Sequence, residues 1–197
     1  MALDQDLARE AQAAGCRACG GRLHSALYPR KPRGGPDDLG PSYESRFSFC
    51  CAREGCRRRT TPPSVRYLGR RVYLGAVIVL VTAMQAGLTP IRTQRLQELI
   101  GVSIRTLKRW RTWWRTTFVA TAFWRAAAGR FMPPVRVDVL PASLLDRFGV
   151  LDARAQLRGV LRFLSPLTTT SVPLGASLAM AARDPQTMPV VPPPPRS

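Results

Sequence analysis

The chain has 197 residues, 45% of them hydrophobic, and a formal net charge of +18, nearly all from arginine, since only Lys31 and Lys108 are lysine. That length and apolar content suit one or two small domains with a real core and exclude a wholly disordered chain. No GxSxG, P-loop or Rossmann glycine pattern occurs, and the single histidine, His24, leaves little room for histidine-based acid–base chemistry.

The charge is localised. Residues 1–45 hold six basic and six acidic residues, residues 46–136 hold 18 and two, and residues 137–197 hold six and four. A field concentrated in the middle of the chain attracts and steers a polyanion, with an anionic membrane surface as the competing partner. The N-terminal MALDQDLAREAQAAG is too polar for a secretory signal. The most apolar run, residues 72–86, is shorter than the roughly 20 residues a membrane span needs. The sequence thus points to no membrane association, a cytoplasmic, nucleoid-associated location, and reduced thiols unless metal holds them.

In chain order, residues 1–14 read as a short polar helix with no strong function. Cys16-Arg-Ala-Cys19-Gly20-Gly21 has the shape of a metal knuckle, two thiolates on one tight turn. Residues 29–45 form a Pro/Gly-rich excursion. Residues 46–51 read as a strand whose alternation places Phe47, Phe49 and Cys51 on one face and Cys50 on the other. Cys56 closes another turn, with four residues between it and Cys51. The two cysteine clusters make a structural zinc site on Cys16, Cys19, Cys51 and Cys56 the leading reading, with Cys50 or His24 as substitute ligands. A redox pair at Cys16 and Cys19, or unpaired core cysteines, are the alternatives. Residues 15–60 carry few large apolar side chains, so a unit this small gains most from a metal staple.

Residues 57–71 are rich in arginine. Arg57, Arg58 and Arg59 are candidate phosphate contacts on an extended arm, against the plainer reading of a solvated linker. Residues 72–84 read as a buried first helix ended by Gly87, and Thr89-Pro90 starts the next. In TPIRTQRLQELIGVSIRTLKRWRTWWRTTF, residues 89–118, Leu96, Leu99 and Ile100 recur at helical spacing. So do Ile104, Leu107, Trp110, Trp114 and Phe118 after Gly101. Gly101 can take the left-handed conformation and Ser103 can cap the following helix, giving a helix-turn-helix. On the second helix Ser103, Arg105, Thr106, Lys108, Arg109 and Thr112 are the candidate DNA contacts, because arginine and lysine read guanine edges and neutralise phosphate. An ordinary amphipathic hairpin with a solvated basic face is the plainer alternative. Core packing accounts for most of Trp110, Trp113, Trp114 and Trp124, with base stacking as the other use.

That helix is expected to continue to about Arg130. Residues 135–140 alternate like a short strand, residues 141–148 and 152–164 read as two helices, and the Pro-rich residues 184–197 as a disordered tail. The expected fold is mainly α with a small N-terminal zinc ribbon of short β and a tri-helical helix-turn-helix core. The corresponding units are a zinc-ribbon-like domain with basic arm at 15–63, a helix-turn-helix domain at 70–130, and a small helical extension at 135–165.

The order of these pieces matters: a Cys16/Cys19 knuckle, an aromatic strand ending in Cys51 and Cys56, the arginine run with Thr60-Thr61-Pro62-Pro63, then residues 96–114. It resembles the N-terminal DNA-binding region of insertion-sequence transposases and their small companion proteins. The likeness covers residues 15–118, and the four residues between Cys51 and Cys56 depart from the family pattern, as does Gln97 where a small residue is usual. It implies binding of terminal inverted repeats in double-stranded DNA, structural Zn2+, a separate catalytic transposase as partner, and homo-oligomerisation as a further option. It does not extend to the catalytic carboxylates, since only Asp138, Asp146, Asp152 and Asp184 follow. The expectation is therefore a non-enzymatic, zinc-stabilised DNA-binding protein. An RNA-binding zinc-ribbon protein or transcriptional regulator is the alternative, and a catalytic transposase using Asp138 the weakest reading.

Overall fold

A computed structural model describes residues 2–68, 73–84, 89–149 and 152–169. Val72 and Gly87, read as flanks of the first buried helix, and the tail at 184–197 lie outside them. The described chain is mainly α, with small antiparallel sheets.

The N-terminal part begins with helix α1 (Ala2–Ala13). A three-stranded sheet follows in the order β1-β4-β5, from Leu23–Ser25, Phe49–Cys51 and Arg59–Thr60. Leu23 faces Cys51 across it, His24 faces Cys50, and Cys50 faces Arg59 on the other side. A second ribbon pairs β2 (Tyr28–Pro29) with β3 (Ser45–Arg46), so the strand expected over 46–51 is split at Phe47-Ser48 between two sheets. Ala8, Cys16, Leu23, Phe49 and Cys51 form a core of only five buried residues, two of them cysteines.

The helical part begins with a hairpin of β6 (Tyr67–Leu68) and β7 (Tyr73–Leu74), which runs straight into α2 (Gly75–Ala83). Tyr73 and Leu74, expected within the helix, are thus strand. Helix α3 (Pro90–Ile100) is capped by Thr89, with Pro90 at its first position, and ends on Gly101 at φ 61. Ser103 caps α4 (Ile104–Trp113) by accepting from the Thr106 N–H. These boundaries follow the local chemistry: proline needs no N–H partner in the first turn, and the left-handed residue that closes the helix carries no Cβ penalty.

The expected continuation to Arg130 breaks. After Trp113 the chain widens into a π-turn over Trp114–Phe118, and Thr121 then caps a separate helix α5 (Ala122–Ala127). Thr121 Oγ donates to the Phe118 carbonyl at 2.7 Å and accepts from the Trp124 N–H at 3.1 Å. A β-branched, self-capping stretch outweighs the apolar period there. The expected strand at 135–140 is a 3-10 turn at Val137–Val139, and the helix at 141–148 shrinks to α6 (Ala142–Leu145). Asp152 caps α7 (Ala153–Leu164) through both carboxylate oxygens.

Side chains from α2, α4, α5, α6 and α7 share one apolar cluster, so residues 135–164 pack into the main core. Aromatic rings run through it. Trp114 meets Phe118 at 5.0 Å, Phe118 meets Trp124 at 4.9 Å, and Phe131 meets Phe163 at 5.5 Å. The buried Trp114 indole N–H donates to Thr82 Oγ1 at 2.8 Å. Helix α3 is the exception. It buries no residue, touches the cluster through Leu96 and Ile100, and leaves Leu99, which shares their helical spacing, 68% exposed. Gln97 lines an open groove between α3 and α4. No helix among the described residues is long and apolar enough to cross a membrane.

Residues 1–14 are more than a polar prelude. Asp4, 1% exposed, accepts from Ser64 Oγ at 2.7 Å, the Val65 N–H at 2.7 Å and Arg66 Nε at 2.6 Å. Arg66 also donates to the Ser42 carbonyl. The basic stretch after Cys56 is accordingly no free arm throughout: Arg59 and Thr60 are in a sheet, and Ser64 and Arg66 are buried.

Candidate metal centre

The two loops that bring the cysteines together are built alike. In the first, the Cys19 and Gly20 N–H groups both donate to the Cys16 carbonyl, at 3.3 and 2.6 Å, and Gly20 turns left-handed at φ 69. In the second, the Cys56 and Arg57 N–H groups both donate to the Arg53 carbonyl, at 3.0 and 3.2 Å, and Arg57 turns left-handed at φ 45. Arg53 therefore occupies the backbone position that Cys16 holds in the first turn, and the sulfur is supplied from two residues upstream, by Cys51 at the end of β4. This accounts for the four-residue spacing. The sequence signal was the terminal Glu-Gly-Cys, which makes a tight turn without a cysteine at its start.

The four Sγ atoms of Cys16, Cys19, Cys51 and Cys56 lie within 4.8 Å of one another. Cys16 to Cys56 is 3.6 Å and Cys19 to Cys51 is 3.5 Å. A disulfide would require about 2.05 Å; all four thiols are free. Thiolates placed tetrahedrally at about 2.3 Å from a central dication stand about 3.8 Å apart. The cluster therefore has the size and the donor set to hold a metal ion. The glycine beside it is shaped by the sulfurs: a Cβ on Gly21 would fall 3.1 Å from Cys51 Sγ and 3.2 Å from Cys19 Sγ.

Backbone amides support the sulfurs electrostatically. The Ala18 N–H lowers the Cys16 pKa to about 7 against the effect of burial, and Cys56 adds to the drop. The Arg53 N–H favours the Cys51 thiolate, yet burial and the three neighbouring sulfurs push that thiol up to about 12. The Arg58 N–H acts likewise on Cys56, where burial and the sulfurs of Cys19 and Cys16 also prevail. Burial and the neighbouring sulfurs thus disfavour the thiolates of Cys51 and Cys56. A dication at its centre reverses that logic.

The two substitute ligands stand apart from the cluster. Cys50 and His24 are paired on adjacent strands, facing away from Cys51, and Cys50 Sγ donates to the Arg57 carbonyl at 3.4 Å.

Arg57, Arg58 and Arg59 are exposed, but they diverge: Arg57 forms the knuckle turn, whereas Arg59 lies in β5 with its guanidinium 5.4 Å from the Tyr28 ring. Arg105, Lys108, Arg109 and Thr112 lie exposed on α4, and Thr106 is half-buried. Ser103 is exposed, but its oxygen is engaged by the Thr106 N–H at 3.4 Å. Among the described residues none of Arg105, Lys108 and Arg109 is in an ion pair. Arg111 is tied to the Met84 carbonyl at 2.5 Å and so links α4 to the end of α2. Asp138 is exposed on its turn and paired with Arg136 at 2.7 Å. Comparison with family models, curated proteins and solved structures gave no match.

Proposed function

We propose that this chain is a zinc-stabilised protein that binds duplex DNA. The observation that carries the reading is the outer face of α4. Four exposed polar residues, three of them cationic and free of ion pairs among the described residues, project from a helix anchored by Leu107 and Trp110, which are 1% and 7% exposed. A basic helix face on a rigid support is what groove binding asks for. Helices α3 and α4, joined by Gly101 and the Ser103 cap, then act as the helix-turn-helix. The four cysteines act as a zinc ribbon, zinc being the dication that suits four thiolates and tetrahedral geometry. The ion folds the N-terminal unit and takes no part in chemistry, and we assign no catalytic role to Asp138.

The order of motifs supports a place beside a transposable element, as an accessory to a separate catalytic transposase, with self-association as an option. Selection from random duplexes, followed by anisotropy titrations, tests the function. Arg105→Ala and Arg109→Ala should each cost about 1–3 kcal/mol on a selected site if they read bases. Equal loss on every sequence would assign them to phosphate. Stronger binding of structured RNA than of any duplex at the same salt would replace the DNA reading with an RNA one.

A further inference from the structure

The N-terminal half holds a second basic feature that the metal centre and α4 leave unused. A cavity of about 210 Å³ opens beside the β2–β3 ribbon, lined by Tyr28, Arg30, Arg46, Ser48, Arg59 and Thr61. It lies below the roughly 300–1,000 Å³ of pockets that enclose whole drug-sized ligands. No acidic side chain lines it.

Three arginines line it. The Arg30 guanidinium sits 4.2 Å from the Tyr28 ring centre and that of Arg59 5.4 Å from the same ring. The ring's negative faces attract each cation, but they carry no formal charge to neutralise it. Arg46 adds a third. It is only 8% exposed, and its Nη2 donates to the Thr168 carbonyl at 2.8 Å and the Pro62 carbonyl at 3.3 Å. Its Nε is buried and has no partner. Burial lowers the Arg46 pKa from its ordinary value; Asp4 opposes that effect and Arg30 adds to it. None of the three arginines has an ion pair among the described residues. Cationic side chains that line one small cavity with no acid among its walls favour a small multivalent anion, which guanidinium groups bind through charge-assisted hydrogen bonds.

We infer that this cavity is a phosphate-binding site, with Arg30, Arg46 and Arg59 as the charge and the Ser48 hydroxyl as a further donor. The inference rests on the DNA reading only for the source of the phosphate, which is the backbone of the bound nucleic acid or the free ion. Arg59, unlike Arg57 and Arg58, lines this cavity from β5, so its fork is available to the anion. A phosphate held here fixes the N-terminal unit against the strand that α4 contacts.

The test is arginine Nε–H NMR on the metal-loaded full chain, titrated first with inorganic phosphate and then with a random-sequence duplex. Phosphate should shift the Nε–H signals of Arg30, Arg46 and Arg59. Arg30→Gln and Arg59→Gln should each weaken phosphate binding by about tenfold or more with unchanged metal content and melting temperature, and Arg59→Lys should restore part of it. Arg46 is left intact because its carbonyl contacts serve the fold. Shifts with both ligands identify the nucleic-acid backbone as the source; shifts with phosphate alone identify the free ion. Should the duplex move the α4 arginines while these three signals stay fixed with either ligand, the site is overturned and the DNA reading survives. Phosphate shifts without binding of any nucleic acid would leave the site standing and remove that reading.

Discussion

Cys50 and Cys51 are neighbours in sequence with opposite fates, because adjacent strand residues point to opposite faces. Cys51→Ser should abolish stoichiometric zinc binding and unfold the N-terminal unit, whereas Cys50→Ser should keep one zinc per chain; native mass spectrometry reads both. The thiols also set a pH dependence. Cys16 has a pKa lowered to about 7 and Cys51 one raised to about 12, while the bound ion requires all four as thiolates. Binding therefore expels protons, and more of them once the pH falls below about 7, where Cys16 is also protonated. Apparent zinc affinity should fall as pH drops and fall more steeply below about 7. A chelator competition between pH 8 and 5.5 that showed no slope would contradict four-thiolate ligation.

Helix α3 has sound caps and a poor seat. Thr89, Pro90 and Gly101 define its ends, but it buries no residue and exposes Ile91 and Leu99 at 70% and 68%. Helix stability in proteins comes mostly from the packed face. The amides of α3 should therefore exchange with solvent through local opening well before those of α4 or α7, whose Leu107, Val160 and Leu164 are 1% exposed or less. Hydrogen exchange in the free protein reads this, and addition of a selected duplex should slow exchange in α3 if it docks with α4. Equal protection of α3 and α7 in the free chain would show that the groove lined by Gln97 and Ile104 closes in solution.

Across the whole molecule, the N-terminal helix and the helical core are joined by buried polar contacts. Asp4 holds Ser64, Val65 and Arg66, and the Ser64 N–H donates to Thr168 Oγ1 at 2.9 Å. The Asp4–Arg66 pair is 2.6 Å long with both side chains at 5% exposure or below. Removing one partner of such a pair leaves a buried charge and costs about 3–5 kcal/mol. Asp4→Ala should lower stability by that amount in denaturant titrations of the metal-loaded protein, although Asp4 is far in sequence from both the cysteines and α4. The same contacts give the arginine-rich stretch after Cys56 a defined path, since its residues 64–66 are held by Asp4 and Thr168.

The local chemistry of the turns was legible in the sequence: the Cys16/Cys19 and Cys51/Cys56 turns, the Thr89-Pro90 start, the Ser103 cap, the Gly101 stop and the inward row of Leu107, Trp110 and Trp114. Each depends on residues within a few positions of one another, where side-chain geometry alone decides. The rest depended on contacts distant in sequence. A polar N-terminal helix placed Asp4 under Arg66, although the Thr121 self-cap that broke an apparently continuous helix was itself local. The convergence of Tyr28, Arg30, Arg46 and Arg59 likewise came from three separate short strands. Periodicity reports which face is apolar but not what covers it, and a charge reports its sign but not its neighbours. Both are fixed only when the folded chain decides which groups share a buried space.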